Sequence, residues 1–273
     1  MITEPLFLPA ASGQRFCLLY SPDVSGHVRG AVVYVHPFAE EMNKSRRMVA
    51  IQARAMAEEG YVVLQMDLYG CGDSSGDFGD ASWSDWVEDV VFACAWLRQK
   101  TNAALWLWGL RAGCLLISEA MQQIDPVEGL LFWQPVLSGK QFWQQFVRLK
   151  IAGEILSGES KGFMEQMRYD LAQGLCVEIA GYTLSPELIR GLESAEMTLP
   201  DTKTRVEWME LSSKPEGSPS PAAKTRLDKW STQGHALRWA SVPGPAFWQT
   251  TEIEECPDLI SNSLAAMESE VAR

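Results

Sequence analysis

The chain has 273 residues, 47% of them hydrophobic and 21% charged, which is enough apolar material for one sizeable core with an insertion. Its formal net charge of -12 and isoelectric point near 4.8 speak against nucleic acid and anionic membrane as partners, since both require a basic surface. Cys17, Cys71, Cys94, Cys114, Cys176 and Cys256 are scattered without metal-ligand spacing, so reduced, mostly buried thiols are expected, with no metal and no cofactor. No stretch reaches the roughly 18 apolar residues of a membrane span and no basic leader precedes an apolar run, so a cytoplasmic location is expected.

Residues 6–8 and 15–20 are short extended runs either side of Ala11-Ser12-Gly13, the pattern of a hairpin. Residues 30–36 form a continuous apolar run, as in a parallel strand covered on both faces. Residues 43–59 place Met48, Ile51, Ala55 and Met56 on one face and stop at Gly60, a helix with its C-terminal glycine, and residues 61–66 are the next strand. After the glycine-rich loop 67–80, Ser82 with Asp85 three residues later starts a capped helix that runs through Leu97. A strand at 105–108 turning at Gly109, a helix at 112–122 and a strand at 127–133 follow. This alternation predicts an α/β fold with a mostly parallel, doubly wound sheet.

From residue 138 to 200 the pattern changes to amphipathic helical segments, including 141–156 and 162–173, with no strand before Tyr182. A helical cap insertion is expected there, dividing the core into residues 1–137 and 201–273. Strand character returns at 205–211, a Pro/Ser/Gly loop fills 212–222, a short helix 225–232, a last strand 237–242, and a terminal helix lies near 257–271.

The turn Gly109-Leu110-Arg111-Ala112-Gly113 lies between a strand and a helix, the context in which G-x-S-x-G presents a nucleophilic serine. Arg111 occupies the serine position. A guanidinium stays protonated and has no lone pair with which to attack a carbonyl, so acyl transfer through this side chain is excluded. Anion binding is not excluded: the Ala112 N–H lies at a helix N-terminus, and Phe38 can donate a second N–H where Pro37 cannot. The other use for Arg111 is an internal ion pair with Glu40, Glu41 or Glu252, because buried charges are normally paired. Both readings stand on the sequence.

A triad would need a histidine beyond the last strand. His27 and His36 come too early, His235 precedes that strand, and the loop after it offers Phe247, Trp248 and Gln249 instead. The acid position is also without an obvious occupant: Ser212 and Ser213 come first, Glu216 falls in the loop, and Glu210 lies within the strand. A different nucleophile would have to be Cys71, paired with His36 as thiol and imidazole. Asp67, Asp73, Asp77 and Asp80 match no cation-binding loop and read as loop caps and solvated charge.

The series G-A-V-V-Y-V-H-P-F, D-L-Y-G-C-G-D-S-S-G-D, L-W-G-L-R-A-G, W-Q-P-V-L-S-G-K-Q-F and P-G-P-A-F-W-Q-T-T-E-I resembles the exosortase A system-associated hydrolase 2 family over nearly the whole chain. The resemblance implies an α/β-hydrolase fold, an arginine elbow that belongs to the branch, and an accessory role in exopolysaccharide synthesis and PEP-CTERM protein sorting. Gln134 and Gln249 are expected near Arg111 and Trp248 at the same sheet edge, lining a site for a small anionic or acyl-bearing ligand. The competing expectations are an ester or thioester hydrolase or acyltransferase acting through Cys71, and a scaffold that docks a protein partner or a second copy through the cap.

Overall fold

The computed structural model describes residues 1–23, 28–155, 162–212 and 217–268. Strands β1 (Ile2–Pro9) and β2 (Gln14–Ser21) pair antiparallel around a turn in which Gly13 takes a φ of 79°. Then β3 (Gly30–Val35), α1 (Glu40–Glu58) and β4 (Tyr61–Met66) form the first parallel crossover. Helix α2 (Trp83–Lys100) starts at the predicted Ser82, whose side chain accepts the Asp85 N–H while Asp85 answers the Ser82 N–H.

Strand β5 (Leu105–Leu110), helix α3 (Gly113–Ala120) and strand β6 (Gly129–Trp133) follow. The insertion holds α4 (Gly139–Ile155), α5 (Phe163–Ala172), the small hairpin β7 (Val177–Ile179) and β8 (Tyr182–Leu184), and α6 (Pro186–Ser194). Its neck is closed by an antiparallel bridge between Ser138 and Glu196. The chain ends with β9 (Arg205–Ser212), α7 (Pro221–Thr232), β10 (Ala236–Pro243) and α8 (Pro257–Glu268).

The main sheet has the order β1-β2-β4-β3-β5-β6-β9-β10, with every neighbouring pair from β4 to β10 parallel. Six strands therefore deliver their C-terminal ends to one edge, where side chains from distant parts of the sequence meet. Strands β3, β5 and β6 are buried along their whole length, which is why they read as unbroken apolar runs. One face carries α2, α3 and the insertion in a single apolar cluster: Trp86 and Ile117 share it with Phe142, Trp143 and Leu188. The other face packs Met48 and Met56 of α1 and Leu259 of α8 against Trp108 and Trp133. Each such buried large side chain contributes roughly 1.5–3 kcal/mol.

Three expectations shift. Strand β5 continues through Gly109 to Leu110, so the turn falls on Arg111 and not on Gly109. A strand, β7, precedes Tyr182 inside the insertion, where only helix had been expected. Helix α7 begins at Pro221, four residues before its expected start, because Ser220 caps the Ala223 N–H and Pro221 is preorganised for the first helical position.

The loop after β4 is tied down from below by a buried ion pair. Arg15 of β2 donates through Nε to both Asp89 oxygens at 2.8 Å, and Asp89 also accepts the Tyr69 N–H at 2.7 Å. The two side chains are 4% and 5% exposed. Breaking such a pair strands a buried carboxylate, so Arg15→Met is expected to lower the unfolding free energy by about 3–5 kcal/mol in urea titrations. Adding Asp89→Leu should recover part of that loss and leave the Tyr69 N–H unsatisfied; a double variant no more stable than the single one would contradict this account.

Candidate functional site

Arg111 stands where β5 hands over to α3, with a φ of 53°. A non-glycine residue in the left-handed region carries strain of about 1–3 kcal/mol, which the surroundings must over-determine. Here the Arg111 N–H donates to Trp133 O at 3.0 Å, and the Arg111 carbonyl accepts from Cys114 N at 3.1 Å and Val136 N at 3.3 Å. A Cβ at Gly113 would lie 2.4 Å from Val35 O, and one at Gly109 would lie 2.8 Å from Ile117 Cδ1. The two glycines and the backbone bonds thus build the elbow whatever side chain position 111 carries.

The guanidinium sits between three segments. Its Nε donates to Glu41 Oε1 of α1 at 3.3 Å, with side chains 19% and 14% exposed. Its Cζ lies 5.3 Å from the Trp248 ring centre and 5.8 Å from that of Phe142 in the insertion, within cation–π range of both. Of the three carboxylates proposed for an internal pair, Glu41 is the one in contact. That contact uses Nε; among the described residues no protein acceptor meets the two terminal amino groups of Arg111. The Trp248 Nε1–H is buried and has no acceptor either. The backbone N–H groups of Phe38 and Ala112 likewise donate to no protein acceptor among the described residues.

The other expected site residues divide. Phe38, 2% exposed, packs its ring against Phe78, Trp86, Phe142 and Phe146, so any ligand contact it makes is through the backbone. Gln134 stands directly after β6: its side-chain carbonyl accepts the Leu211 N–H at 2.7 Å and its own N–H donates to Met209 O at 2.7 Å, extending the ladder between β6 and β9. Only its amide NH2 remains for anything else. Gln249 is exposed, and from that loop the indole of Trp248 reaches Arg111. Phe247, in the stretch where a triad histidine is expected, is buried against Trp133 and Trp248 as part of the core.

The thiol–imidazole pair is also corrected. Both ring nitrogens of His36 are engaged, with Nδ1 on Pro37 O at 2.8 Å and Nε2 accepting the Leu68 N–H at 3.2 Å, which defines a neutral imidazole. Burial lowers its pKa from 6.5. Cys71 is 3% exposed, and burial, reinforced by Asp67 and Asp89, pushes its thiol well above the ordinary value, the wrong direction for a nucleophile. His235 accepts the Thr204 N–H through Nδ1 at 3.2 Å ahead of β9 and β10, at the end of the sheet away from the elbow. His27, Ser213 and Glu216 lie outside the described residues.

The acidic loop behaves as caps. Asp67 takes Arg46 at 3.2 and 3.3 Å and the Asp73 N–H at 3.1 Å, and Asp77 and Asp80 close a capping box on a single helical turn. Glu210 accepts Trp208 Nε1 at 3.0 Å. Among the described residues, no group of three or more His, Cys, Asp or Glu is placed to hold a metal ion, and no helix is long and apolar enough to cross a membrane. Sequence reasoning missed Phe142, whose only signal is the aromatic spacing of Phe142, Trp143 and Phe146, and the Arg15–Asp89 pair, which leaves no signal in the sequence.

Two measurements check this geometry. Five of the six cysteines are buried and Cys176 is exposed, so a thiol-titrating disulfide reagent should modify one thiol rapidly and the other five only on unfolding; fast modification of Cys71 would contradict its burial. For His36 the folded pKa is below the unfolded 6.5, so the stability it contributes is present above pH 6.5 and is lost as the pH falls below that value. Between pH 7.5 and 5.5 the unfolding free energy should fall, with a smaller slope in His36→Gln.

Residues 26–173 match the family described as serine aminopeptidase, S33, and no curated protein matches the chain in sequence. Among solved structures the chain is similar to ferulic acid-bound Est1E from Butyrivibrio proteoclasticus, at 14% identity and a TM-score of 0.66, covering 98% of this chain and 100% of that one. It is also similar to XC6422 from Xanthomonas campestris, an α/β serine hydrolase without a lid, at 15% identity and a TM-score of 0.58, covering 97% and 93%. A thioesterase domain from the curacin biosynthetic pathway aligns at 15% identity and a TM-score of 0.56, covering 97% and 100%. At such identities the likeness concerns the fold. With its parallel sheet, its glycine-flanked elbow and the family match over more than half its length, the chain belongs to the S33 serine aminopeptidase family of α/β hydrolases.

Proposed function

We propose that this protein binds a small anionic or acyl-bearing molecule at the elbow and does not hydrolyse it. The observation that carries this reading is the character of the site: apart from Glu41, which is paired with Arg111, the polar groups assembled around position 111 are hydrogen-bond donors, and no nucleophile stands beside them among the described residues. The terminal amino groups of Arg111, the Trp248 indole N–H and the N–H groups of Phe38 and Ala112 all lack protein acceptors among the described residues. Donors of this kind suit carboxylate, phosphate or a polarised acyl oxygen. Glu41 moderates the positive charge from one side and fixes the guanidinium plane through Nε.

The likeness in fold to a ferulic acid-bound protein and to a thioesterase domain supports an acyl-bearing ligand over a bare inorganic anion. The motif resemblance to the exosortase-associated branch supports a cytoplasmic accessory role in exopolysaccharide and PEP-CTERM protein-sorting work.

The test combines turnover with binding. Wild type and Arg111→Ser should both match a heat-inactivated control on activated acyl esters and thioesters, since restoring the serine supplies neither base nor acid. Across a panel of small carboxylates, acyl phosphates and acyl thioesters, at least one compound should raise the wild-type Tm by about 4–10 °C at a hundredfold excess over Kd. Arg111→Ala should abolish that shift. Turnover above the control in wild type, or a shift that survives Arg111→Ala, overturns the reading.

A further inference from the structure

His36 stands buried directly after β3, and its ring joins two loops of the sheet edge. Nε2 accepts the Leu68 N–H at 3.2 Å, which puts the ring proton on Nδ1, and Nδ1–H donates to Pro37 O at 2.8 Å. That carbonyl belongs to the same peptide group as the Phe38 N–H. The group is trans and planar, so its C=O and N–H point in opposite directions. Holding the carbonyl on the imidazole therefore turns the N–H away from it, and a carbonyl that accepts a hydrogen bond makes its own amide a better donor.

The elbow lies next to this peptide. A Cβ at Gly113 would be 2.7 Å from His36 O, and the Phe142 ring is 5.9 Å from the Phe38 ring and 5.8 Å from Arg111 Cζ. The loop needs a hold, because Ala39 follows with a φ of 51°, strained for a non-glycine residue, and starts α1 without a side-chain cap. Ring packing pins the Phe38 side chain but leaves the peptide plane before it to be set by the bond on Pro37 O. The imidazole is itself anchored: Leu68 precedes Tyr69, whose N–H is held by Asp89 and, through it, by Arg15.

We propose that His36 is a positioning residue for the elbow: through Pro37 O it aims the Phe38 N–H at the acceptor oxygen of the bound molecule. This rests on the reading of the elbow as a binding site. An imidazolium carries a proton on Nε2 as well and cannot accept the Leu68 N–H, so protonation of the ring loosens the hold. The charged groups that face the ring are Asp67, after β4, and Arg46 of α1, which pair with each other. Helix α2 presents the Trp86 ring at 6.3 Å, and α3 comes up at Gly113, against the His36 carbonyl. Burial outweighs Asp67 and keeps the ring neutral at neutral pH.

One readout needs no ligand. In nitrogen-15-labelled wild type titrated from about pH 8 to about pH 5, the Leu68 and Phe38 amide resonances should move together with one midpoint below 6.5. In His36→Asn, whose amide donates from the place of Nδ1 and does not titrate, both should stay flat. The other readout is calorimetry with butyrate at about pH 8. His36→Leu should weaken binding about tenfold, the loss of one well-aimed donor to a charged acceptor, and His36→Asn should recover most of it. Arg111→Ala should abolish binding. A Phe38 amide that does not follow the Leu68 amide overturns the inference, and so does a His36→Leu variant that binds as wild type does while Arg111→Ala binds nothing. Butyrate binding that survives Arg111→Ala, or none in wild type, counts against the elbow reading; the wild-type amide titration then decides the hold of His36 on Phe38 by itself, as it does if His36→Leu fails to fold.

Discussion

The close approach of the α3 N-terminus to the end of β3 is the constraint on which the arrangement rests. Any side chain at Gly113 would put its Cβ 2.4 Å from Val35 O, and any at Gly109 would meet Ile117 and Cys114. With both flanks reduced to glycine, the chain can turn in two residues, and the residue at the apex is driven to a φ of 53°. Nothing in that geometry depends on the apex side chain being a serine. The elbow is a device for presentation, and it presents arginine as firmly as it would present a nucleophile.

What changes is the chemistry that the rest of the edge must accommodate. A permanent cation at the apex needs a counter-charge and a desolvated but favourable surround, and the neighbours supply both: Glu41 from α1, and the faces of Trp248 and Phe142. Phe247 fills core beside Trp133, and Gln134 uses its amide to stitch β6 to β9. The result is an edge in which the Arg111 terminal amino groups and the Trp248 indole N–H have no protein acceptor among the described residues.

Much of the fold was legible because buried parallel strands leave no choice of composition: β3, β5 and β6 are covered on both faces and so are apolar at every position. Helix α2 announced its start through Ser82 and Asp85, a pairing that acts within three residues and needs no tertiary help. The three-residue strand β7 escaped notice because so short a strand has no periodicity of its own and exists by pairing with β8 within the insertion. The early start of α7 was readable from Ser220-Pro221, a capping signal obscured by the surrounding Pro/Ser composition.

By itself the sequence determined the elbow and its missing nucleophile, since glycine spacing and side-chain type are local properties that survive without coordinates. It also determined the absence of a histidine after the last strand. Only the tertiary structure decided which of three glutamates meets Arg111, that an aromatic side chain of the insertion closes over it, and that His36 spends both nitrogens on backbone partners. These are contacts between segments tens of residues apart, set by the angles at which helices and strands pack, and no spacing along the chain encodes them.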